Sequence, residues 1–164
     1  MSPGNIEEFT AASRGEVAYR PLLERLAREA IDAAERGEPA IASGYELSEV
    51  DLARLTGRSD DPGHVLRIRA AYGSVDGWVD DGLALIRPWG FELSSIAVPT
   101  SVWCGLSDVL RPPGHAEWLI SHIPAAQRRE LPGGHYLTGE DIGRVLRWLT
   151  DPAQPGLSTE PGTA

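Results

Sequence analysis

An α/β architecture, with a helical half followed by two parallel strands and C-terminal helices, is predicted by three features of this 164-residue chain. Apolar residues recur at helical spacing through much of residues 1–88. A short apolar run, Thr100 to Cys104, follows Val98-Pro99 and is closed by Gly105, the pattern of a buried strand ending in a turn. A second short run, Gln127 to Leu131, follows a helical stretch and ends in Pro132-Gly-Gly134. The order strand, helix, strand favours a parallel pair.

Each element has its own signal. Asn5, with Glu8 three residues on, resembles a capping box leading into Phe9 and Ala12. Val17, Leu22, Leu23, Leu26, Ala30 and Ala33 then recur at helical spacing through a helix expected over Pro21 to Glu35, with charges opposite and a break at Gly37-Glu-Pro39. Ser48 is placed to cap a helix over Glu49 to Leu55, and Pro62 to open one over Val65, Leu66, Ile68 and Ala71. A further helix is expected from Val75 to Ile86, and another beginning near Pro112. From Asp151 onward, Pro152, Pro155, Gly156, Pro161 and Gly162 interrupt any apolar periodicity, as in a disordered tail. The chain thus divides into a helical region (1–88), a strand-bearing region (89–150) and a tail (151–164).

Composition narrows the function classes. A net charge of −9 and a pI near 4.9 argue against nucleic-acid and anionic-membrane partners, which call for clustered basic residues. Hydrophobic residues make up 41%, enough for a real core. The single cysteine, Cys104, falls inside the apolar strand and has no internal disulfide partner, which fits a reducing cytoplasm. No long apolar span, signal peptide, or Cys/His spacing for a metal is apparent, and no cofactor motif is found.

The strand ends carry the chemistry. Asp108 sits just past the first strand and His135 follows the turn after the second, so both belong at the carboxyl edge where open α/β sheets place their sites. A histidine acts as general base toward a hydroxyl only when a carboxylate accepts its other N–H and stabilises the imidazolium that forms. Asp108 and His135 supply that pair of residue types. His115, in the first turn of an expected helix, is the rival base, and Asp108 has the alternative role of capping its own turn. Of the tryptophans, Trp89 is the candidate to face a substrate pocket, while Trp78, Trp103, Trp118 and Trp148 read as packing. Asp80-Asp81 reads as a solvated face, since adjacent helical residues point in different directions.

Gly105-Leu-Ser-Asp108 and Gly133-Gly-His135 resemble the C-terminal half of the α/β-hydrolase superfamily, where a Gly-x-x-Asp turn supplies the acid and a Gly-x-His or Gly-Gly-His loop the base. The likeness runs through Arg87-Pro-Trp-Gly-Phe-Glu-Leu93, Pro112-Pro-Gly-His-Ala-Glu-Trp-Leu119 and Ile123-Pro124, and is most specific over Trp78 to Leu149. It implies a partial α/β-hydrolase fold: a helical lid (1–88), the C-terminal part of the core (89–150), Asp108 and His135 as catalytic acid and base, and hydrolysis of an ester, amide or related bond in a small-molecule substrate. Similar proteins also place a Gly-x-Ser-x-Gly nucleophile elbow and an oxyanion-hole loop upstream of the acid. Neither is found here: Gly105-Leu-Ser-Asp-Val109 lacks the second glycine, and Ser43-Gly44 lacks the first. The resemblance therefore implies a nucleophile, serine or aspartate, outside this sequence, and an isolated chain without activity. Strand Thr100 to Cys104 is apolar along its length, as in a strand paired on both edges, and only Gln127 to Leu131 is available as a neighbour, so a second copy or a complementary N-terminal polypeptide is expected as partner. The alternative is a half-domain serving as a non-catalytic binding or interaction module.

Overall fold

Helix α2 (Glu16–Glu35) organises the helical half. Tyr19, Leu23, Leu26, Ala27 and Ala30 form one buried stripe along it, and α1 (Pro3–Ser13), α4 (His64–Tyr72) and α5 (Asp76–Leu85) pack around that stripe. The core closes with Ala12, Ala42, Val75 and Val79. The computed structural model describes residues 2–59, 61 and 63–150, so Pro62 and the expected tail 151–164 lie outside the described residues.

Three local details differ from the sequence pattern. Helix α1 is capped by Ser2 rather than Asn5: Ser2 Oγ accepts the Asn5 N–H at 3.4 Å and donates to Asn5 Oδ1 at 2.5 Å, while Pro3 occupies the first turn, where no N–H partner is needed. Helix α2 begins at Glu16 and carries Pro21 inside it. Val17 is 92% exposed, because six residues of helix turn it about 120° away from Leu23. Glu8, freed from capping, gathers three donors from the helical half: Tyr19 Oη at 2.6 Å, Trp78 Nε1 at 2.8 Å, and Tyr45 Oη. Burial and the adjacent Glu8 carboxylate push both tyrosine hydroxyls well above their ordinary value, so they remain protonated donors.

Strands β1 (Ser101–Gly105) and β2 (Gln127–Leu131) pair in parallel, Ser101 opposite Gln127 and Gly105 opposite Leu131. Helix α6 (Pro113–His122) makes the crossover and packs on both strands. The first strand is one residue out of step with the expected Thr100 to Cys104. Its burial also differs from that of a strand covered on both faces: Cys104 and Gly105 are buried, whereas residues 101–103 are only half-buried. With a two-stranded sheet among the described residues, β1 has one neighbour, and its outer edge lacks a strand partner.

Two further helices frame the sheet end: α3 (Glu49–Ser59), capped by Ser48, and α7 (Gly139–Thr150), capped by Thr138. Ile142, Leu146 and Leu149 lie exposed along α7. The described residues thus form a mixed α/β structure of seven α-helices and a two-stranded parallel sheet, dominated by helix. Among them no helix is long and apolar enough to cross a membrane.

Leu23 is completely buried at the centre of the helical core. Leu23→Ala is expected to cost about 3 kcal/mol through lost contact and a residual cavity, read as a shift in urea midpoint at unchanged slope. A change below about 1 kcal/mol would show that the helices repack around the gap.

Candidate functional site

The carboxyl ends of the two strands are stitched together by their own backbones. Leu106 N–H donates to Leu131 C=O and Ser107 N–H to Gly133 C=O, each at 3.0 Å, so the turn after β1 lies against the loop after β2. This approach requires Gly105: a Cβ there would meet the carbonyl oxygen of Gly133 at 2.7 Å and that of Gly134 closer still.

Asp108 projects from the first of these turns. Its Oδ1 accepts the amides of Leu110 at 2.9 Å and Arg111 at 2.7 Å, which orients the carboxylate. Its Oδ2 faces His135 Nδ1 at 3.0 Å. Turn capping and the pairing with histidine are therefore both present, one on each oxygen. The Asp108 side chain is 9% exposed and that of His135 is 34% exposed. Among the described residues, nothing hydrogen-bonds His135 Nε2, so the ring is held at one nitrogen and open at the other.

The loop bearing His135 is gripped by α3. Asp51 Oδ2 accepts the His135 N–H at 2.8 Å, and Asp51 Oδ1 accepts the Tyr136 N–H at 3.0 Å. Arg54, one turn further along α3, donates to the Tyr136 carbonyl. Asp51 is 0% exposed. Its close approach depends on Gly134, where a Cβ would strike Asp51 Oδ2 and come within 2.6 Å of Ser48 Oγ. Burial alone would raise the Asp51 pKa, but the amides of Tyr136 and His135 and the Ser48 hydroxyl outweigh it and hold the carboxyl below its ordinary 3.8.

The structure thus brings Asp108 and His135 together and places the other candidates elsewhere. His115 lies exposed in the first turn of α6. Trp89, 52% exposed, stacks on Phe91 at 5.9 Å and meets Trp118 edge-on at 6.4 Å. These three rings line a cleft of about 290 Å³ with residues 92–94 and His122, and neither Asp108 nor His135 lines it. Trp89 is thus placed in an aromatic cleft beside α6. Asp80 and Asp81 are exposed. Among the described residues, no three His, Cys, Asp or Glu side chains are grouped as a metal site would require.

Asp51 is the site residue that the sequence reading missed. Ser48-Glu-Val-Asp51 spells a helix start, but no local pattern shows that its acid reaches a loop 84 residues away. Compared with known proteins, the chain matches no protein-family model, no curated protein and no solved structure.

A carboxyl whose pKa is depressed on folding stabilises fully above its unfolded value, and the contribution disappears as pH falls through the lower folded value. For Asp51 the contribution is complete above 3.8 and is lost on further acidification. Asp51→Asn is therefore expected to be less stable at neutral pH and to lose less additional stability below about pH 4. Urea unfolding across that range checks it. Parallel curves for the two proteins would contradict the assignment.

Proposed function

We propose that this chain carries the acid and base of an α/β-hydrolase-type site that cleaves an ester, amide or related bond. The observation that carries the reading is the 3.0 Å approach of Asp108 Oδ2 to His135 Nδ1, at adjacent strand ends, with Nε2 left open. In this role Asp108 accepts the Nδ1 proton, which leaves the Nε2 lone pair to take a proton from an attacking hydroxyl. The Asp108 carboxylate then stabilises the imidazolium until the proton passes to the leaving group. Residues 1–88 serve as the lid and 89–150 as the C-terminal part of the core. The nucleophile comes from a polypeptide segment outside this sequence.

The edge of β1 that has no strand partner among the described residues supports a partner that completes the sheet, either a complementary N-terminal polypeptide or a second copy of this chain. The same edge and the exposed Ile142, Leu146 and Leu149 favour the second reading, a non-catalytic interaction module.

Turnover of p-nitrophenyl esters separates the two. The isolated chain is expected to be inactive, since a histidine and its carboxylate activate a nucleophile but do not replace one. A polypeptide that also includes an in-frame upstream Gly-x-Ser-x-Gly segment is expected to turn over ester and to lose activity by about 10⁴- to 10⁶-fold on His135→Ala. Turnover that survives His135→Ala would overturn the catalytic reading. Sedimentation of the isolated chain tests the partner: self-association or aggregation is expected. A monomer with strong amide protection along both β1 and β2 would show that the edge is covered within the chain.

A further inference from the structure

The starts of α3 and α7 have the same local sequence logic and use it differently. In a capping box, the residue at the cap takes the amide three positions on, and the side chain at that third position reaches back to the cap's own N–H. Helix α7 closes its box: Thr138 Oγ1 accepts the Asp141 N–H at 3.1 Å, and Asp141 Oδ2 accepts the Thr138 N–H at 2.9 Å. Helix α3 makes only the first half, with Ser48 Oγ accepting the Asp51 N–H at 3.2 Å. The Asp51 carboxylate instead takes the amides of His135 and Tyr136, one on each oxygen, in a fully buried position. Ser48 also donates its hydroxyl to Asp51 Oδ2 at 2.7 Å, which holds the carboxylate in that direction.

We propose that Asp51 is a positioning residue for His135, a helix-capping acid diverted to fix the backbone from which the imidazole projects. The proposal rests on reading Asp108 and His135 as acid and base. His135 is then held at two points, its main chain by Asp51 and its Nδ1 by Asp108, leaving Nε2 as the free end. The charged groups around the loop are Asp51 and Arg54 on α3, Asp108 after β1, and Asp141 on α7, which feels the charge of Arg54. Because Asp51 belongs to α3, the placement of the base depends on α3 staying docked.

Nitrogen-15 NMR of the imidazole and amide hydrogen exchange on the full chain test this. In the wild type, neutral His135 is expected to carry its proton on Nδ1, and Asp108→Asn to remove that preference. Asp51→Asn cannot offer two carboxylate acceptors to two N–H groups, so it is expected to mix the tautomers and speed exchange at His135 and Tyr136 by at least about tenfold. Ser2→Ala removes the cap of α1, away from this loop, and is expected to lower the melting temperature while leaving the tautomer intact. If Asp51→Asn does not fold, Asp51→Glu keeps the charge on a longer arm and is expected to shift the tautomer and exchange in the same direction. Wild-type tautomer and protection in whichever Asp51 variant folds, with Asp108→Asn still changing the ring, would overturn the Asp51 proposal alone. No change in the ring on Asp108→Asn would instead overturn the underlying reading of the pair.

Discussion

The close approach of two backbones at the carboxyl end of the sheet is the constraint on which the site depends. Hydrogen bonds from Leu106 and Ser107 draw the turn after β1 against Leu131 and Gly133. The absence of side chains at Gly105 and Gly134 makes room on both sides of that loop. Only with the two segments in register do Asp108 and His135, 27 residues apart in sequence, come within one hydrogen bond. Any side chain larger than hydrogen at Gly105 would push against main-chain oxygens rather than flexible side chains, so the displacement would fall on the turn that carries Asp108.

The helical half and the sheet meet through polar contacts at this point. The core around α2 is apolar, with the Glu8 network at its side. The contact from α3 to the His135 loop is instead made by a buried carboxylate and a guanidinium acting on backbone groups. Charge-assisted bonds of that kind are directional, and a buried carboxylate that loses its donors is left with an uncompensated desolvation cost. A packed apolar contact at the same place would tolerate sliding; paired amides on the two oxygens of one carboxylate do not.

Much of this was legible in the sequence, and each miss has its own physical cause. Helix α5 and both strands fall within a residue of the expected bounds, because apolar spacing and Gly or Pro punctuation are local properties. Gly105, Asp108 and His135 could be placed at one sheet edge because topology follows from element order. The start of α1 was misread because Ser2 and Asn5 are both good caps, and only the presence of Pro3 at the first turn separates them. Asp51 was invisible for a deeper reason: its partners are backbone amides, which leave no trace in residue identity. The exposure of Trp89 was equally hidden, since burial of a ring depends on what packs over it.

Cys104 is the only thiol in the chain, and it is buried at the end of β1 next to Gly105, with the Arg129 carbonyl 3.7 Å from its sulfur. A maleimide or disulfide reagent can reach it only when that strand end opens, so the alkylation rate counts openings one molecule at a time. The protein therefore contains its own unmutated chemical clock for the segment that carries Asp108. It runs without any label that could disturb the packing it reports.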